Sequence, residues 1–196
     1  MENDYILKIE GLIPKIECDK IIEGFESCSG NKNPGMFGEG FVDHDVKKCV
    51  ESFYHFGSEG KRGFSSINEY LPIAIKKYVD RYPNVLKVKK WNVAEIYKIQ
   101  RYYPNEGFFA LHCENDSADS RRILAWMIYL NDVTDDGYTE FPCQDKKFQP
   151  RVGDVLVWPA FFTHAHKGIT SKTQTKYIAT GWCTYLERKK LELSYV

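Results

Sequence analysis

The segment ALHCEND, residues 110–116, places His112 and Glu114 two residues apart in an apolar, aromatic neighbourhood. On a β-strand, residues i and i+2 point to one face, so the imidazole and carboxylate would converge while Cys113 turns away. Alone, such a pair can equally be two ordinary polar residues on a strand. As metal ligands they need a third donor, and the remaining histidines are His44, His55, His164 and His166. His44 and His55 fall in a glycine-rich stretch. His164 and His166 lie in WPAFFTHAHKG, just after a strand-like run, and either completes a two-histidine, one-carboxylate set. That set leaves coordination positions open and suits non-haem Fe(II) oxygenases. A cupin-like site using both His164 and His166 with His112 and Glu114 is the competing arrangement.

Lys176, ten residues after His166, opens the run KYIATGWCTY. If that run is a strand, Lys176, Ile178, Thr180 and Trp182 share one face. A lysine turned inward beside isoleucine and tryptophan needs an anionic partner to stay charged. The distal carboxylate of 2-oxoglutarate would be such a partner, met by a compact cation with three donors. Otherwise Lys176 begins its strand at the surface and is solvated.

These groups must be carried by strands, and the chain supplies them late. IPKIECDKIIEGFES has Pro14 at a helix start and Ile16, Ile21, Ile22 and Phe25 at roughly helical spacing. SSINEY offers the start of a second helix that Pro83 ends. Between them lies a glycine-rich stretch, 29–64, whose Met36, Phe37, Phe41 and Tyr54 make it a candidate lid. From residue 91, short runs rich in β-branched and aromatic residues alternate with turn signals such as PNEG, NDSADS and RVGD. The expectation is one α+β domain over 1–196. Helices and lid occupy 1–90, and a double-stranded β-helix (jelly-roll) core occupies 91–186. Asp154 reads as a turn residue, Trp158, Phe161 and Phe162 as core or pocket wall, and Arg121 and Arg122 as solvated.

Lys+Arg and Asp+Glu are equal at 27 each, which argues against a nucleic-acid surface; KVKK at 87–90 reads as a solvated strand approach. Six cysteines without CxxC spacing read as free thiols. With no basic-then-apolar leader and no membrane-length apolar run, a cytoplasmic setting is expected. Oligomeric state is not legible.

Taken together, YKIQRYYPNEGFFALHCEND, RRILAWMIYLNDVTDDGYTEFP and RVGDVLVWPAFFTHAHKGITSKTQTKYIATGWC resemble the catalytic domain of the prolyl 4-hydroxylase family of Fe(II)/2-oxoglutarate-dependent dioxygenases. The resemblance covers about the C-terminal half, and IPKIECDKII is similar to the helix that opens such domains. It implies that His112, Glu114 and His166 bind iron, the spacing to Lys176 favouring His166 over His164. It implies that Lys176 and Tyr129 meet the distal carboxylate of 2-oxoglutarate, that Tyr103 lies beside the cosubstrate, and that Thr139 and Trp182 line the same pocket. One departure stands out: the family's usual aspartate is Glu114 here. The implied reaction couples hydroxylation of peptidyl proline to conversion of 2-oxoglutarate and O2 into succinate and CO2, with ascorbate a candidate reductant. Alternatives are a free amino acid or other small-molecule substrate, or a non-catalytic metal-binding jelly roll. No nucleic acid or membrane partner is expected.

Overall fold

The computed structural model describes residues 4–28, 30, 32–56, 64–116 and 119–186. Its architecture is mixed α/β, built on antiparallel sheets. In chain order the elements are β1 (Leu7–Ile9), α1 (Lys15–Ser27), β2 (Asn33–Pro34), β3 (Val50–His55), α2 (Ser65–Arg81) and β4 (Trp91–Tyr102). They continue with β5 (Arg122–Tyr129), β6 (Thr139–Phe141), β7 (Lys146–Phe148), β8 (Val155–Pro159), β9 (Lys167–Gly168) and β10 (Lys176–Tyr185). The large sheet has the order β1-β8-β5-β10-β4-β3-β2, and the small one β7-β6-β9.

Strand parity divides the large sheet into two working faces. Tyr97, Ile99, Leu124, Trp126, Ile128, Val155, Val157 and Ala179 pack with Cys18, Ile21 and Phe25 of α1 and Ile67, Leu71, Ala74 and Tyr78 of α2. The opposite face puts Tyr102, Ala125, Met127, Tyr129, Leu156, Trp158 and Ile178 against Phe141 of the small sheet. Central β5 is covered on both sides, which is why ILAWMIY is buried throughout and shows no alternation. Directly opposed residues share a face. The β4–β10 pairs Tyr102–Lys176, Gln100–Ile178 and Lys98–Thr180 therefore put all six side chains on the inner face.

The helices run where the sequence indicates, but α1 buries Cys18, Ile21 and Phe25, and Ile16 is 60 % exposed. The division at residue 91 needs correction, because β1, β2 and β3 from the first 90 residues join the large sheet. VESFYH hides its strand character: inner-face Glu51 is fully buried as a carboxylate, which breaks the apolar alternation. The lid expectation changes with it. Tyr54 is core, packed on Phe64 and Tyr97, and Phe41 is 64 % exposed. Residues 29, 31 and 57–63 of that stretch lie outside the described residues. FFALHCE is not a strand either, contributing only isolated bridges at Phe108 and His112.

Asp154 is a buried anchor as well as a turn residue. It accepts from Gly11 N–H at 2.8 Å and pairs with Lys8 at 2.9 Å, tying the first strand to the sheet. Next to it Gly153, at φ +82°, takes a hydrogen bond from Ile13 N–H and gives one to Tyr129 O. A Cβ there would overlap Ile13 O. Gly153→Ala should therefore destabilise the fold by on the order of 3 kcal/mol in chemical denaturation. A loss below about 0.5 kcal/mol would show that this junction yields easily.

The described cysteines are free thiols, as expected. No described helix is long and apolar enough to cross a membrane.

Candidate active site

His112 and His166 face each other across a two-residue antiparallel bridge, closed by His112 N–H to His166 O (3.0 Å) and His166 N–H to His112 O (2.8 Å). Glu114 N–H donates to Ala160 O at 3.0 Å, so both segments deliver their side chains to one place. The three ligating atoms lie within 4.8 Å of one another. Glu114 Oε1 is 3.8 Å from His112 Nε2 and 3.4 Å from His166 Nε2.

The second ring nitrogens set the chemistry. His112 Nδ1 lies 2.9 Å from Ala110 O and His166 Nδ1 3.0 Å from His164 O. Carbonyls only accept, so Nδ1 carries the proton and Nε2 turns a lone pair toward Glu114. Burial, reinforced by His166, draws the His112 pKa down to about 4. Burial pushes Glu114 the other way, but its polar neighbours, the donating Trp182 N–H among them, prevail and hold it below the usual carboxylate range. Three acceptors thus converge with no donor between them. A cation satisfies all three at once, and two imidazoles with one carboxylate match the donor set of open Fe(II) centres.

His164 takes no part. Its Nε2 bonds Asp4 O at 2.7 Å and its Nδ1 bonds Thr163 Oγ1 at 2.9 Å, and among the described residues the four-ligand cupin-like set does not form.

Glu114 Oε2 accepts from Trp182 Nε1 at 2.7 Å, leaving Oε1 toward the histidines. Trp182 therefore touches the carboxylate directly. Arg122, expected to be solvated, donates to Glu114 O at 2.9 Å and lies 4.0 Å over the Trp182 ring. Removing a hydrogen bond that orients a ligand typically costs 10- to 100-fold in metal affinity. Trp182→Phe should weaken Co(II) binding by about tenfold or more. The same change made in Glu114→Asp, whose carboxylate is one methylene shorter, should cost markedly less. Calorimetric titration of both backgrounds checks this, and equal losses would uncouple Trp182 from the carboxylate.

A cavity of about 1060 Å³ runs from this cluster to Lys176, with Lys176, Ile178, Thr180 and Trp182 all on its wall. The Lys176 ammonium is buried, donates to Gly137 O at 2.9 Å and sits 5.0 Å from the Tyr102 ring centre. Among the described residues it has no ion pair, and burial lowers its pKa to about 8.

Two tyrosines depart from expectation. Tyr102 lines the cavity, whereas Tyr103 is 47 % exposed and lies against Arg101 on the outside. The reason is parity: Tyr102 pairs with Lys176, so the next residue must point away. Tyr129 is fully buried, its hydroxyl donating to Phe148 O (3.0 Å) and sharing a 2.8 Å hydrogen bond with Thr139 Oγ1. Thr139 lines the cavity and Tyr129 supports it from behind.

The sequence also leaves unannounced a polar wall made by Lys47, just before β3, Glu51 of β3, and Lys98 and Gln100 of β4. Counting alternate positions back from Tyr102 reaches Gln100 and Lys98, so that part was readable.

Residues 97–184 match the sequence profile of the 2OG-Fe(II) oxygenase superfamily. The matched segment is a little under half of the chain. It contains His112, Glu114, His166, Lys176 and Trp182. A protein of Acanthamoeba polyphaga mimivirus, whose name assigns it provisionally to the prolyl 4-hydroxylases, is 32 % identical over 114 residues, 49 % of this chain. The chain spans about half (46 %) of that relative's length. In fold, this chain is similar to a viral collagen prolyl hydroxylase from Paramecium Bursaria Chlorella virus-1 (TM-score 0.68, 18 % identity, 94 % of this chain and 98 % of that one). It is similar to a Pseudomonas putida prolyl-4-hydroxylase (0.69, 13 %, 94 % and 95 %). A Trichoplax adhaerens prolyl hydroxylase, solved with a hypoxia-inducible-factor peptide fragment, gives 0.72 at 16 % identity over 93 % and 84 %.

Proposed function

We propose that the protein is an Fe(II)- and 2-oxoglutarate-dependent dioxygenase of prolyl 4-hydroxylase type, hydroxylating a prolyl residue in a peptide. The observation that carries this reading is the sharing of one cavity by two features: the convergent acceptors of His112, Glu114 and His166, and a buried lysine without a counter-charge among the described residues. We read the paired sheets as the double-stranded β-helix of that family.

His112, Glu114 and His166 would hold the iron, and Lys176 the distal carboxylate of 2-oxoglutarate. When bound, these groups and O2 supply the oxidation, in which one oxygen atom enters a substrate C–H bond and 2-oxoglutarate becomes succinate and CO2. The protein's share is placement. Ala110 O and His164 O fix the two imidazole tautomers, Trp182 fixes the carboxylate rotamer, and the backbone bridge sets the spacing of the histidines. Phe108, stacked on the His112 ring at 3.6 Å, and Trp158 and Phe141, both 5.1 Å from the His166 ring, keep the ligands out of bulk water. Tyr102 and Thr139 shape the lysine end.

Anaerobic addition of Fe(II) and then 2-oxoglutarate should produce the visible metal-to-ligand charge-transfer absorbance of the chelate. Its absence would defeat the reading. Succinate release over proline-containing peptides and free amino acids then tests the substrate.

A further inference from the structure

The β3–β4 side of the cavity holds charges that neither the ligand cluster nor Lys176 uses. Glu51 is fully buried and saturated: Oε2 accepts from Lys47 Nζ (2.7 Å) and Gln100 Nε2 (2.7 Å), and Oε1 from Lys98 Nζ (3.1 Å) and Met36 N–H (3.1 Å). One carboxylate thus serves two ammonium groups, leaving a net positive charge on a mostly apolar wall. Lys47 also donates to Met36 O at 2.9 Å. Lys98 is different. Among the described residues its only hydrogen-bond partner is Glu51; the Phe53 and Trp182 rings lie 4.7 and 5.8 Å away. An ammonium has three donors, so two of Lys98's remain unspent inside a cavity it lines.

Its position matters as much as its charge. Lys98 pairs with Thr180, while Lys176 pairs with Tyr102, four residues further along β4. At a rise of about 3.3 Å per residue the two lysines root about 13 Å apart. Lys98 is at the Trp182 end, where the indole holds Glu114. The cavity therefore has two cationic ends, and an anion seated at Lys176 leaves the Lys98 end free.

We infer that Lys98 recognises a carboxylate on the substrate, so that the compound oxidised is an acid: a free amino acid through its α-carboxylate, or a peptide with an acidic residue next to the target. This rests on the oxygenase reading and adds the substrate's charge to it. Burial and the neighbouring Lys47 lower the Lys98 pKa, and an arriving carboxylate would offset both. A neutral amide in its place could accept a hydrogen bond but would bring no charge to offset the two ammonium groups that share Glu51, a difference that enzymes convert into discrimination.

The test is a panel of matched pairs given to the loaded wild-type enzyme, read as succinate release. One arm sets L-proline and other free amino acids against their amides. The other sets peptides with Asp or Glu beside proline against the Asn or Gln versions. In each pair the acid should be turned over at least about tenfold better in kcat/KM than its neutral partner, and the arm that responds identifies the source of the carboxylate. In Lys98→Gln the acid preference should collapse, chiefly through KM, while the anaerobic charge-transfer absorbance persists. Because the pairs are compared in the wild type, the result does not depend on the variant folding. Amides turned over as well as acids, or no acid in the panel turned over, would overturn the inference. A wild-type protein without the absorbance is a separate failure, of the oxygenase reading itself, and takes the subsite with it.

Discussion

His166→Ala should abolish the anaerobic Fe(II)–2-oxoglutarate absorbance, and His164→Ala should retain it. The two histidines are two residues apart and both buried, so burial does not separate them. What separates them is where their nitrogens go. His164 spends Nε2 on Asp4 O and Nδ1 on Thr163 Oγ1, a structural histidine clamping the first described residues to the loop. His166 spends only Nδ1 and leaves Nε2 3.4 Å from Glu114 Oε1. Losing His166 removes one of three donors and should weaken Fe(II) or Co(II) binding by more than about 100-fold, beyond the usual cost of losing a supporting hydrogen bond. Losing the His164 side chain costs two hydrogen bonds, about 1–3 kcal/mol of stability, while its carbonyl still orients His166. Metal titration and thermal melts of both variants check the contrast. Metal binding that survives His166→Ala and disappears in His164→Ala would reverse the ligand assignment.

That contrast marks how far the sequence could be read. The pair His112 and Glu114 was visible through i, i+2 spacing, although the segment is not a regular strand. A single bridge to residue 166 is enough to align the two side chains, and the bridge is invisible without its partner. Strands β5 and β8 announce themselves because their β-branched and aromatic runs must fill two buried faces, and β4 and β10 through the length of their β-branched and aromatic runs. β1, β2, β7 and β9 have two or three residues each, too few for a period to register. Tyr103, expected beside the cosubstrate, points outward because Tyr102 is the β4 residue opposite Lys176, a parity that only the β4–β10 register reveals. Arg122 lay beyond reach for another reason. Its contacts, Glu114 O and the Trp182 ring, come from segments that meet only in the folded sheet.

Lys176→Met should do two opposite things: weaken 2-oxoglutarate binding and make the unliganded protein more stable. Truncating one partner of a buried charge pair costs about 2–5 kcal/mol, so the dissociation constant should rise on the order of a hundredfold. The stability gain follows from the folded-state pKa, lowered by burial from 10.5 to about 8. Below pH 8 the ammonium is charged in both folded and unfolded chains, and the folded chain bears the full desolvation cost, about 3 kcal/mol at 1.36 per unit. Between about 8 and 10.5 the unfolded chain binds the extra proton, so wild-type stability should rise with pH across that window. Methionine is free of the cost at every pH. Binding runs the other way. A dicarboxylate beside Lys176 raises its pKa, so wild-type affinity should be flat below about pH 7 and fall as pH climbs through 8, by up to about tenfold per unit. Chemical denaturation without ligand, and anaerobic 2-oxoglutarate titration near neutrality and at pH 9, measure both effects. A wild type more stable than Lys176→Met at neutral pH, or affinity unchanged at pH 9, would mean that the ammonium already has its counter-charge inside the protein. A residue that costs the empty fold stability and repays it only when an anion arrives is retained for the anion, and Lys176 is predicted to behave in that way.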